Sequence, residues 1–166
     1  RCHKLISDSK PISADPAANL KTVLSHIAAA RKAALAPASD VRLIAVSKGH
    51  EAERILPVLA AGHRIFGENR VQEAKVKWTP LRAQFPDSEL HLIGPLQTNK
   101  VRALVGLVDV VESVDRPSLV DELAKRMPGA RVLVQVDTSA EPGKGGCPPD
   151  GVPSLVERAA GRGLDV

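Results

Sequence analysis

Five short apolar runs recur along this chain at nearly even spacing, and they restrict its fold more than any other feature. The runs are residues 41–47, 64–68, 90–93, 108–113 and 131–137, and their starts lie 23, 26, 18 and 23 residues apart. Most of them are almost continuously apolar, which is typical of strands buried on both faces of a parallel sheet. The chain is therefore expected to form an α/β fold with a helix in each interval.

The intervals carry helix patterns. We predict helices at 52–61, 71–84, 98–106, 117–127 and 151–160. An additional helix is predicted before the first strand, because Asp15 can cap it and Pro16 suits its first position. Its apolar residues recur at three- and four-residue spacing to about Ala36, and Pro37 follows.

Two architectures fit this cadence. A doubly wound sheet is complete at five strands, whereas a TIM-type (β/α) barrel needs eight strands and usually about 250 residues. The last residues, 164–166, resemble the start of a sixth strand, so a barrel would be truncated after about five βα units. Residues 1–16 are polar and contain proline, and we predict a largely disordered tail there, with one domain over 17–166.

Composition excludes several classes of protein. The net charge of +4 comes from 23 Lys and Arg against 19 Asp and Glu, and these charges are scattered, with no aromatic residues among basic runs. Nucleic-acid binding is therefore not favoured. Cys2 and Cys147 are isolated thiols, which suits a reducing cytoplasm, and no apolar stretch is long enough for a membrane span.

In both architectures ligands bind at the carboxyl ends of the strands. Lys48 follows the first run and precedes a glycine. It is either an ordinary surface lysine or a covalent anchor for an aldehyde. If it is buried beside Val46 and Ile44, poor solvation favours the neutral amine that reacts with a carbonyl. Polar residues at the other strand ends are Ser47, Glu68, Asn69, Gln97, Asn99, Ser113, Asp115, Gln135 and Asp137.

Other motif classes are missing. The sequence has no GxGxxG after the first strand and no Gly-x-Ser-x-Gly elbow, and residues 143–146 lack the spacing of a phosphate loop. His50, His63 and His91 lack metal-ligand spacing. Among these kinds of site, one built on a reactive lysine is the one that remains.

Several ordered motifs carry a resemblance to a known family. They are Ala45-Val-Ser-Lys48, Phe66-Gly-Glu-Asn69 with Val71-Gln-Glu73, His91-Leu-Ile-Gly-Pro-Leu-Gln-Thr-Asn-Lys100, Glu112-Ser-Val-Asp115, and Val134-Gln-Val-Asp137 with Glu141, Lys144 and Gly146. Together they resemble the pyridoxal phosphate homeostasis protein family, the single-domain relatives of the alanine racemase barrel.

The resemblance implies a TIM-type barrel that binds pyridoxal 5'-phosphate (PLP) as an internal aldimine on Lys48. It places Asn69 near the cofactor ring, with His91 and Ser113 as further neighbours. Lys144 resembles a family lysine that faces the same mouth and accepts or hands on the cofactor, although a solvated loop lysine is an equal alternative. The implied function is a non-catalytic carrier that buffers PLP and delivers it to PLP-dependent apo-enzymes.

The chain departs from the family pattern in three places. His50 stands where many members carry a second lysine, and Asp137 stands where asparagine is common. No segment corresponds to the family's phosphate-binding loops. Two alternatives stay open: a PLP-dependent racemase or decarboxylase of the same barrel type, and a doubly wound binding module that does not use PLP. The racemase alternative is weakened because the chain has no tyrosine and no room for a second domain.

Overall fold

A computed structural model describes residues 14–36, 40–139, 143 and 145–166. The chain divides into two compact units. One comprises the residues up to 43 together with 53–63, and the other comprises residues 44–52 and 64–166.

The first unit holds α1 (Pro16–Ala33) and nearly all of α2 (Ala52–Ala60). The predicted start of α1 is confirmed, since the Asp15 carboxylate accepts a hydrogen bond from the backbone N–H of Ala17 at 2.9 Å. The predicted end at Ala36 is wrong, because Ala34 is already extended. A residue before proline avoids helical angles, which favours an early exit. Of the predicted tail, residues 1–13 lie outside the described part.

The second unit holds the sheet and the remaining helices. Its strands are β1 (Ala45–Val46), β2 (Ile65–Glu68), β3 (Glu89–Leu92), β4 (Val110–Val114) and β5 (Arg131–Val134). Its α-helices are α3 (Val71–Gln84), α4 (Pro117–Arg126) and α5 (Val152–Gly161), and short 3₁₀ helices cover Thr98–Leu104 and Pro149–Gly151.

The order of the strands decides between the two predicted architectures. The five strands are all parallel and lie in the order β1-β2-β3-β4-β5. A doubly wound sheet reverses direction at a switch point, whereas barrel strands follow one another in chain order. A parallel bridge between Arg131 and Asp165 places the start of the predicted sixth run beside β5. The barrel-type fold is confirmed.

Some strands are shorter than predicted, because only part of the apolar run pairs with the neighbouring strand. The first run was expected to form a strand over 41–47, but only Ala45 and Val46 pair, with Phe66 and Gly67 of β2. The fourth strand starts at Val110 because the N–H of Val108 donates to the oxygen of Leu104, at 3.1 Å, in the preceding turn. The segment expected as an α-helix over 98–106 is the shorter 3₁₀ helix.

One face of α3 is buried and bears directly on the site. The buried positions are Val71, Ala74, Lys77, Trp78 and Leu81, which recur at three- and four-residue spacing. The Trp78 ring lies 4.8 Å, centroid to centroid, from the ring of Phe66 in β2. Within the described residues, no helix has both the length and the apolar character that crossing a membrane requires.

Candidate functional site

The carboxyl ends of the parallel strands lie at the same end of the sheet. The first candidate residue lies there, on a tight turn. Lys48 follows β1 by two residues and is exposed, and Gly49 takes a left-handed φ of +70° that favours glycine. Among the described residues, Lys48 has no hydrogen-bond or ion-pair partner. Its amine is therefore available to a ligand.

The structure places Lys48 at the surface, so the burial that would favour its neutral amine is not present. Val46 is 47% exposed, whereas Ser47 is only 4% exposed. Because successive side chains of a strand point to opposite faces, Lys48 continues the exposed side of Val46. The anchor candidate is thus a solvent-accessible amine, and the buried position beside it belongs to a serine.

A second lysine lies beneath this turn in a very different setting. The side chain of Lys77, on α3, is 6% exposed. Its Nζ donates to the backbone oxygens of Ser47 and His50, both at 2.8 Å. It also lies 2.8 Å from Oε1 of Glu68 and 3.0 Å from Oε1 of Glu73. Four oxygen atoms therefore surround the three N–H groups of one ammonium.

Glu68 is the fully buried anion of this group. Its Oε1 accepts hydrogen bonds from Oγ of Ser47 at 2.6 Å and from the indole N–H of Trp78 at 3.1 Å. Its Oε2 has no hydrogen-bond partner among the described residues. The cation of Lys77 balances this buried charge, which would otherwise be costly.

Glu73 is the second carboxylate partner of Lys77, and its side chain is half-exposed. Its Oε1 accepts a hydrogen bond from the backbone N–H of Gly49 at 2.6 Å. This bond, followed by the hydrogen bond from Lys77, holds the pKa of the Glu73 carboxyl below its ordinary value. We call Lys77, Glu68 and Glu73 the Lys77 cluster. It contacts the backbone on both sides of Lys48.

Asn69, the next predicted site residue, is half-buried just after β2. The loop after β3 lies against it very closely. A Cβ at Gly94 would lie 2.3 Å from the backbone oxygen of Asn69, so only glycine fits at position 94. This close approach fixes the backbone of Asn69 at the edge of the sheet.

His91 lies inside β3 and is buried. Its Nδ1 lies 2.5 Å from Oε1 of Glu112 on β4, and its Nε2 lies 2.6 Å from Oε1 of Glu89. Nη2 of Arg131 on β5 lies 3.5 Å from the other oxygen of Glu89. We call these four residues the His91 cluster. The role of His91 beside a cofactor stays a prediction, and both of its ring nitrogens already have carboxylate partners.

The remaining candidates lie on or after β4 and β5. Ser113 is buried, and its Oγ has no partner in the described part of the chain. The amide of Gln135 donates to the oxygen of Gly145 at 2.9 Å, which holds the loop after β5 against the strand end. A Cβ at Gly145 would lie 3.5 Å from Oδ2 of Asp115. Lys144 lies outside the described residues.

Lys77 and its buried contacts were not predicted from the sequence. The signal was present, because a lysine occurs on the apolar face that Ala74, Trp78 and Leu81 define. A charged residue on such a face needs buried partners, and glutamates at positions 68 and 73 could supply them. The cross-strand partners of His91 had no comparable local signal.

Comparison with known proteins now adds to this geometry. Residues 18–166 match the family described as the N-terminal domain of alanine racemase. A relative named pyridoxal phosphate homeostasis protein, from Deinococcus radiodurans, is 37% identical over 153 residues, covering 89% of this chain and 70% of the relative. The chain belongs to the pyridoxal phosphate homeostasis protein family. The resemblance stated above is thereby confirmed.

Further proteins are similar to this chain in sequence or in fold. A Vibrio cholerae relative of the same name is 37% identical over 145 residues, and the chain covers 61% of its length. A protein from Bifidobacterium adolescentis, solved as an unknown protein, has a TM-score of 0.84 at 29% identity, covering 95% of this chain and 70% of that one. PipY from Synechococcus elongatus, solved with PLP bound, has a TM-score of 0.60 at 35% identity, covering 80% and 63%.

Proposed function

We propose that this chain binds PLP covalently through Lys48 and acts as a non-catalytic carrier that buffers and delivers PLP. The observation that carries the proposal is the exposed amine of Lys48, which has no partner among the described residues and lies at the carboxyl edge of a parallel sheet. The names of the relatives and the PLP bound to PipY support it.

PLP supplies an aldehyde whose carbon is open to attack by an amine. After losing a proton to solvent, Nζ of Lys48 would add to that carbon, and the carbonyl oxygen would leave as water while a carbon–nitrogen double bond forms. Attack by water reverses the step and releases both partners unchanged. A carrier needs this reversibility, because it must return the aldehyde intact.

The two lysines beside the edge differ in how well they fit this chemistry. Lys48 is exposed and has no carboxylate partner in the described part of the chain. Lys77 is buried, and its three N–H groups face four oxygen atoms. Lys48 is therefore the residue that suits an aldehyde, and Lys77 does not.

Mixing the purified chain with PLP tests the proposal. We expect an absorption band in the visible range, and borohydride should fix the cofactor on Lys48, as read by peptide mass spectrometry. Lys48→Ala should lose the band, whereas the exposed Lys75→Ala should keep it. Equal covalent labelling of the Lys48→Ala variant would contradict the assignment.

The non-catalytic part of the proposal has its own readout. The PLP-loaded chain should not exchange the α-proton of alanine in deuterated water. Rapid exchange would favour the racemase alternative.

Four further residues stay predicted neighbours of the cofactor: Asn69, His91, Ser113 and Lys144. PLP-dependent apo-enzymes in the cytoplasm are the proposed recipients, and the free thiol of Cys147 agrees with a reducing compartment.

A further inference from the structure

Side chains hydrogen-bond to three backbone atoms of the turn that carries Lys48. Nζ of Lys77 holds the oxygens of Ser47 and His50, and Oε1 of Glu73 holds the N–H of Gly49. These atoms belong to the residue before Lys48 and to the two residues after it. The backbone of the anchor is thus held on both sides by two residues of one helix.

The contrast between the backbone and the side chain of Lys48 is informative. A surface turn can satisfy its backbone groups with water, so such a turn does not in itself require charged side chains to hold it. Here both α3 residues direct their charged groups at the backbone of the turn, while the amine that it carries is exposed. The arrangement fixes the backbone at Lys48 and leaves its Nζ, the atom proposed to react, exposed.

We propose that Lys77 and Glu73 are positioning residues that set how readily Lys48 captures the aldehyde of PLP. This inference rests on the proposed function. Fixing the turn reduces the backbone freedom that is lost when Nζ bonds to a bound ligand, which favours capture. Glu68 contributes by holding the cation of Lys77 beneath the turn.

Comparing the binding of two ligands distinguishes a positioning role from a general loss of the binding site. PLP carries the aldehyde, whereas pyridoxine 5'-phosphate has the same ring and phosphate but no aldehyde. A positioning residue should affect capture of PLP much more than binding of pyridoxine 5'-phosphate. A residue that merely supports the fold should weaken both ligands equally.

Glu73→Ala is the main variant, because Glu73 is half-exposed and its removal leaves the buried pair of Lys77 and Glu68 intact. We expect PLP capture, measured from the visible band, to weaken about tenfold in the 166-residue chain, with pyridoxine 5'-phosphate binding within about twofold. Glu73→Gln should restore part of the capture, since its amide oxygen can still accept from Gly49. Lys75→Met, on the exposed side of the same helix, is the matched control.

Lys77 is tested with both buried charges removed together. The double variant Lys77→Met with Glu68→Gln avoids an unpaired buried carboxylate, and circular dichroism should confirm that it folds. It should lose capture at least as strongly as Glu73→Ala.

The outcomes distinguish the two proposals. Unchanged PLP capture in Glu73→Ala, or an equal loss for both ligands, overturns the positioning role while the proposed function stands. A wild-type chain that captures no PLP overturns the proposed function, and the positioning role fails with it.

Discussion

The Lys77 cluster and the His91 cluster have the same basic composition, since each places a nitrogen-bearing side chain between two glutamates. Both central side chains are buried, with 6% of Lys77 and 8% of His91 exposed. The difference lies in the remaining contacts. Lys77 also bonds to two backbone oxygens of the Lys48 turn, whereas the described contacts of His91 join side chains of β3 and β4.

The number of donors on the central side chain accounts for this difference. A lysine has three donors, so after meeting two carboxylates it can still hold backbone oxygens. A histidine has two ring nitrogens, and two carboxylates occupy both of them. We infer that the Lys77 cluster shapes the site, and that the His91 cluster joins neighbouring strands.

The largest effect should come from breaking the buried ion pair. Lys77→Met leaves the carboxylate of Glu68 buried without its cation, and we expect the free energy of unfolding to fall by about 3–5 kcal/mol. Adding Glu68→Gln should recover part of that loss, because the unpaired charge is gone. Urea unfolding measures both variants, with Lys75→Met as the exposed control. A double variant no more stable than the single one would contradict this reading.

A smaller effect is expected at His91. His91→Leu removes the donor between Glu89 and Glu112, and the free energy of unfolding should fall by about 1–3 kcal/mol. If this cluster only joins strands, PLP capture by the folded variant should not show the tenfold loss that we expect for Glu73→Ala. A selective loss of capture would instead support the predicted role of His91 as a neighbour of the cofactor.

The smallest effect concerns acid stability. The pKa of Glu73 is below its ordinary value of 4.5 in the folded chain, chiefly because the N–H of Gly49 donates to it. Its contribution to stability is complete above that value and is lost as the pH falls below it towards the folded pKa. Glu73→Gln should therefore lose less stability than the wild type on acidification below about pH 4.5.

Thermal melting between about pH 6 and pH 3 measures this difference. Asp121→Asn is the matched control, since a hydrogen bond from Arg158 also lowers the pKa of the Asp121 carboxyl, at a partly exposed site. Both substitutions should flatten the acid limb, but only Glu73→Gln should also alter PLP capture. Identical acid limbs for the wild type and Glu73→Gln would show that the bond to Gly49 does not hold the carboxylate.

The order of strands and helices was predictable because it follows from local patterns. Continuous apolar runs indicated the strands, and Asp15 with Pro16 indicated the start of α1. Features that depend on distant partners were harder to predict. The shortness of β1 depends on which residues of β2 face it, and apolar character alone does not show this.

The sequence predicts Lys48 as the anchor of the proposed site, but it does not predict the residues that hold the backbone of Lys48. Lys48 stood out by its place after a strand and by the family resemblance. Its exposure was one of two open alternatives, because the apolar neighbours Ile44 and Val46 were also compatible with burial. The contacts of Lys77 and His91 join elements that lie about 20 to 30 residues apart, and chain spacing does not specify such geometry.

The chain-order sheet has a consequence for how this protein can be made. Each strand pairs with the one synthesised just before it, so every ladder closes only a short loop of chain. The sheet can therefore lengthen one strand at a time from its β1 side as the chain leaves the ribosome, and the turn carrying Lys48 can meet α3 long before β5 exists.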